Sequence, residues 1–151
     1  MSTPEAEPRT GPYADTAARV WNGMRTLVLD LHDKRDEVCG ALGMSFIRAK
    51  ALRRLAKGPR TMRELAAELS TDAPYTTLVV QDLEKRGLVE RTVHPGDRRA
   101  KIVTATAEGL AAAALAERIL GEPPAPLLAL TGTDLESLDR IVTDLLGTHP
   151  G

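Results

Sequence analysis

The chain is poor in the residues that would staple or cofactor-load a small protein. It has one cysteine, one tryptophan, one phenylalanine and two tyrosines in 151 residues. A single cysteine, Cys39, excludes an intramolecular disulfide framework and a cysteine-based zinc cluster. Aromatics at 3% leave the core to Leu, Val, Ile and Ala, which favours helix-on-helix packing over a β-sandwich. No apolar run approaches the roughly 18 residues of a membrane span. The opening MSTPEAEPRTGP lacks the basic and apolar regions of a secretory signal. A cytoplasmic location without a membrane partner is therefore expected. The three histidines, His32, His94 and His149, are scattered, and no H-E-x-x-H, P-loop or G-x-S-x-G run occurs. Catalytic residues, metal ligands and cofactors are not expected.

What is present is a charge asymmetry. The net charge is −1, yet residues 45–104 hold thirteen Lys/Arg against seven Asp/Glu, and the remainder holds seven against fourteen. A basic middle between acidic flanks suggests a polyanion-binding module in a frame employed otherwise.

Residues 1–11 are rich in Pro, Glu, Thr and Gly and read as a disordered tail. Tyr13, Ala17, Val20, Met24, Leu27 and Leu31 recur at helical spacing, with Trp21 and Val28 widening the stripe. They predict one long helix from Pro12 to about Val38, broken by the glycines of 37–45. So long a stripe needs a partner surface, most simply a second copy of the chain. Ser45 is the expected N-cap of a helix from Phe46 to about Ala56, with Phe46, Ile47, Leu52 and Leu55 inward. Thr61-Met62-Arg63-Glu64 is a capping box opening a helix with Met62, Leu65, Ala66 and Leu69 inward. Ser70-Thr71-Asp72 is a turn. Asp72 then caps a helix from Ala73 to about Arg86, with Pro74 in its first turn and Gly87 stopping it. Its inward set is Thr76, Val79, Val80 and Leu83. Pro74, Tyr75, Thr77, Leu78, Gln81 and Asp82 face outward.

Residues 88–93 alternate as a strand, 94–99 form a turn, and Lys101–Thr104 return. Arg98 and Arg99 at a hairpin tip repel each other and make sense if the tip enters a minor groove. Asp97 can pair with one of them. Thr106 caps an Ala-rich helix from Ala107 to about Leu120. Pro123, Pro124 and Pro126 interrupt the helical region. Thr133-Asp134-Leu135-Glu136 opens a last helix to about Leu146 with Leu135, Leu138, Ile141, Val142 and Leu145 on one side. The fold class is thus mainly α with a small β-hairpin wing. A winged helix-turn-helix domain at 45–104 lies between an N-terminal helix at 12–38 and C-terminal helices at 106–147.

The run from Leu52 to Gly109 resembles the winged helix-turn-helix of the MarR (multiple antibiotic resistance regulator) family. LEKRGLVER at 83–91, DRR at 97–99 and the Thr-x-x-Gly of Thr106 and Gly109 carry the resemblance. It implies a homodimeric transcription regulator, expected to act as a repressor, whose terminal helices form the dimer interface. One recognition helix per subunit would enter the major groove of a near-palindromic double-stranded operator. By position, the contacts fall on Pro74, Tyr75, Thr77, Leu78 and Gln81, the wing arginine on Arg99 and its partner on Asp97. Arg91 and Arg98 add positive charge. The chain departs from the family at Leu78 and Asp82, where relatives often carry Arg or Lys.

Many such regulators are released from DNA by a small aromatic or phenolic effector. His32, Asp36, Met44 and Arg48 are the candidates to border its crevice. Cys39 supports an alternative, a redox-sensing regulator of the same fold, since Lys34 and Arg35 lie near it along the chain. A second alternative is a winged-helix protein-interaction module that binds no DNA; it is expected to have a neutral wing, unlike Arg98-Arg99.

Overall fold

The computed structural model describes residues 11–147. The tail expected at 1–11 falls outside the described residues except for Gly11, as does 148–151. The chain begins with α1 (Ala14–Arg25), which continues as a π-helical segment, Thr26–Leu31. Then come α2 (Arg35–Leu42), α3 (Phe46–Leu55), β1 (Arg60–Thr61), α4 (Met62–Leu69) and α5 (Ala73–Lys85). The hairpin β2 (Val89–His94) and β3 (Asp97–Ala105) follows, and α6 (Ala107–Gly121), α7 (Ala125–Leu128) and α8 (Gly132–Gly147) close the chain.

The single long helix expected over 12–38 is two helices with a break at 32–34. The π-helical segment ends with His32 N–H donating to Leu27 O at 2.9 Å. Asp33 then stops the register. Its carboxylate accepts from the Arg35 backbone N–H at 3.0 Å and from the Arg35 guanidinium at 2.7 Å. Gly40, expected to break the helix, lies inside α2. Gly43, at φ 64, is the residue that ends α2, because its left-handed backbone strains any side chain.

The helix-turn-helix is assembled by its caps. Thr61 Oγ1 accepts from Glu64 N–H at 3.1 Å, and Asp72 Oδ1 accepts from Tyr75 N–H at 2.8 Å. Within the turn, Thr76 Oγ1 donates to Asp72 O at 2.7 Å and lies 2.7 Å from Thr71 Oγ1. The buried Thr76 hydroxyl is therefore satisfied, as a buried polar group must be. Ser45 stands at the N-cap of α3 but makes no capping bond; its hydroxyl accepts from Arg48 instead, at 2.8 Å.

Leu52 and Leu55 of α3, Leu65 and Leu69 of α4, and Val79, Val80 and Leu83 of α5 form one core with Val89, Val103 and Ala113. The inward sets expected for α4 and α5 are those observed. A second cluster, Val38, Ala49 and Ala116 with Phe46 and Ile119, locks α2 and α3 onto α6. Its alanines let those helices approach closely. Burying a leucine contributes roughly 2 kcal/mol, against about 0–1 kcal/mol for an exposed ion pair. The core therefore holds the domain together, and the charged pairs tune it.

The sheet has three antiparallel strands in the order β1-β3-β2. The short β1, unforeseen in the sequence, pairs Arg60 with Val103 and Thr61 with Ile102. The hairpin turn is only Pro95-Gly96, since His94 pairs with Asp97 and His94 Nδ1 accepts from Gly96 N–H at 2.9 Å. Asp97, Arg98 and Arg99 thus belong to β3 and not to a six-residue turn. Thr131, not Thr133, starts α8: its Oγ1 accepts from Asp134 N–H at 3.2 Å.

Gly109 seats α6 on the hairpin. A Cβ there would stand 2.0 Å from the Leu88 carbonyl oxygen. Thr106 holds the same corner, accepting from Gly109 N–H at 3.1 Å and donating to Gly87 O at 2.7 Å. Here lies the physical content of the Thr-x-x-Gly run. By contrast α1 and α8 bury no residue.

Candidate nucleic-acid interface

α5 presents an exposed stripe at helical spacing: Pro74, Leu78, Gln81 and Lys85, with Tyr75 beside it. Leu78 is 58% and Tyr75 41% exposed, unusual for side chains of their size. Thr77 is half-buried and donates its hydroxyl to Ala73 O at 3.0 Å, so its oxygen is left to accept. Lys85 was missed in the sequence. Its signal was there: it lies four residues beyond Gln81 on the same stripe. Lys101 on β3 and Arg63 on α4 are exposed cations missed in the same way.

Arg35, Arg48, Arg53, Arg60, Arg86 and Arg91 each pair with a carboxylate. Arg98 and Arg99 are exposed and have no carboxylate partner among the described residues. Neighbouring strand residues point to opposite faces, so the two guanidinium groups leave the hairpin on opposite sides. Asp97 does not pair with an arginine side chain; its Oδ1 accepts from the Arg99 backbone N–H at 3.0 Å and shapes the start of β3. Arg91 is bound to Glu84 at 2.6 Å, tying β2 to α5.

Asp82 is equally engaged. Its Oδ2 accepts from Arg48 Nε and Arg86 Nε, both at 2.8 Å. The Arg86 bond above all, with help from Arg48, holds this carboxyl below the usual carboxylate range.

Of the residues expected to border an effector crevice, His32 lines a cavity of about 790 Å³. Leu27, Val28, Phe46, Leu120, Leu127 and Leu138 make most of its wall. Lys34 stands at its edge and donates to Glu122 O at 2.5 Å. Asp36, Met44 and Arg48 are elsewhere: Asp36 is exposed, Met44 packs on the main core, and Arg48 is in the Asp82 pair. Cys39 is half-buried in α2, and its carbonyl accepts from Gly43 N–H at 2.9 Å. Among the described residues no group of three His, Cys, Asp or Glu side chains could hold a metal ion, and no helix is long and apolar enough to cross a membrane.

A helix-turn-helix flanked by a hairpin wing and carried on long terminal helices defines a winged helix-turn-helix protein. Residues 42–100 match the model of the MarR family, the segment from the end of α2 to the wing. Over that segment, which is less than half of the chain, the sequence is similar to the MarR family. Solved structures agree in fold. Wild-type MarR from E. coli superposes with a TM-score of 0.66 at 22% identity, covering 91% of this chain and 98% of that one. S. aureus MepR in its complex with DNA gives 0.56 at 18% identity, covering 87% and 98%. NadR in complex with 4-hydroxyphenylacetate gives 0.59 at 18% identity, covering 96% and 99%. A sequence comparison with curated proteins finds no match.

Proposed function

We propose that this chain is a cytoplasmic repressor that binds a near-palindromic duplex operator as a homodimer. The observation that carries the reading is the pair Arg98 and Arg99, exposed and without a carboxylate partner among the described residues, on a hairpin beside the exposed stripe of α5. Elsewhere the hairpin and α5 neutralise their arginines internally, as Arg91 and Arg86 do. α5 enters the major groove, with Tyr75, Thr77 and Gln81 hydrogen-bonding and Leu78 meeting a thymine methyl. The wing follows the flanking minor groove, whose negative potential attracts arginine. MepR, of the same fold, is known in a complex with DNA.

The homodimer is supported by the apolar residues that a single chain leaves in water: Val20, Trp21 and Val28 near the N-terminus, Ile141 and Val142 in α8. A regulatory ligand is supported by the cavity. Its volume and apolar wall suit a small aromatic molecule, with His32 and Lys34 as polar contacts. NadR, of the same fold, holds 4-hydroxyphenylacetate.

The test begins by selecting bound sequences from random duplexes. Affinity for the selected operator should fall steeply with salt, by counterion release. Arg99→Ala should weaken binding about tenfold or more and flatten the salt slope by about one ion, with the melting temperature unchanged. A folded variant with wild-type affinity would refute the wing assignment.

A further inference from the structure

We propose that Asp82 is a positioning residue that sets the orientation of the recognition helix, and that it reads no base. The proposal rests on the DNA-binding reading of α5 given above. Asp82 lies one turn beyond Leu78, at the edge of the exposed stripe. Its Oδ2 joins two arginines from different elements, Arg48 of α3 and Arg86 at the end of α5. Both arginines continue to one corner of the fold. Arg86 donates to Gly43 O at 2.9 Å, and Arg48 donates to Ser45 Oγ at 2.8 Å. The bonds close a ring from the α2–α3 corner through Arg86, Asp82 and Arg48 back to the corner.

The ring supplies what the core beneath α5 lacks. Val79, Val80 and Leu83 hold the helix down through apolar contacts that have little directional preference. Two charge-assisted hydrogen bonds on one carboxylate oxygen are directional and short. They determine how far α5 rolls about its own axis, and with it where Tyr75, Leu78 and Gln81 point. A carboxylate on the open stripe could accept from a cytosine amino group. Here one of the two carboxylate oxygens, Oδ2, already accepts from two arginines, which ties the side chain to the α2–α3 corner. An aspartate that merely bordered DNA would repel phosphates, so its removal would strengthen every complex. A positioning aspartate has the opposite signature for the operator.

The experiment compares operator and random duplex for the full chain and for Asp82→Asn, Arg48→Ala and the double variant, with a melting curve for each. Asp82→Asn should lower the operator preference about tenfold, spread over the half-site, while random-duplex affinity stays level or rises. Arg48→Ala should lower the preference to a similar extent, and the double variant no further than either alone. Should Asp82→Asn not remain folded, Arg48→Ala and Arg86→Ala carry the same comparison. An unchanged preference, a loss confined to one base position, or losses that multiply in the double variant would overturn the positioning role alone. A wild-type chain that binds no duplex would overturn the DNA reading, and this role with it.

Discussion

Replacing Gly109 by alanine would place a Cβ 2.0 Å from the Leu88 carbonyl oxygen and 3.0 Å from its carbon. A carbon–oxygen contact rests at about 3.3–3.6 Å, so α6 and the Leu88 backbone must separate by more than about 1 Å. Neither side can yield cheaply. Leu88 O accepts from Thr106 N–H at 3.0 Å, and Thr106 Oγ1 donates to Gly87 O at 2.7 Å. Overpacking costs about 1–3 kcal/mol, and two hydrogen bonds add about 1 kcal/mol each. The expected loss is about 3–5 kcal/mol, a large share of a typical domain's stability. For a chain of this size it lowers the melting temperature by roughly 6–20 °C. Gly40→Ala supplies the control. Gly40 lies in α2 with nothing within 4 Å of its Cβ position, so alanine there should stabilise by about 0.5–1 kcal/mol. Thermal unfolding of both variants reads the difference in sign. A Gly109→Ala chain that melts within about 2 °C of wild type would refute the steric reasoning.

Removing residues 1–30 should leave the chain monomeric in analytical ultracentrifugation, because it deletes α1 and most of the π-helical segment; a truncated chain sedimenting as a stable dimer would contradict the proposed interface. The Asp33 carboxyl, held at about 2 by hydrogen bonds from the Arg35 side chain and then its backbone N–H, should titrate there by NMR. Its folded value lies below the ordinary 3.8, so the ionised form favours the folded state. That contribution is complete above the ordinary value and fades as pH falls toward about 2; a midpoint near 3.8 would mean that the Asp33–Arg35 bond is not kept in solution.

The order of the helices and the winged class were legible because local chemistry specifies them. Thr61, Asp72 and Thr106 each cap the helix that follows, and Thr76, Val79, Val80 and Leu83 recur at helical spacing and are all buried. The basic hairpin was legible from Arg98 and Arg99 standing beside Pro95-Gly96. Partner choice was not, because it depends on residues far apart in the chain. Arg48 meets Asp82 across 34 positions and Arg53 meets Glu117 across 64, pairings that no local pattern announces. Boundaries were lost where a side chain overrode periodicity, as Asp33 did just after the first helical stretch ends at Leu31 and Thr131 did in starting the last helix. Periodicity says which face is apolar. Only the packed chain says which apolar face stays in water, which charges cancel, and which arginines remain for another molecule.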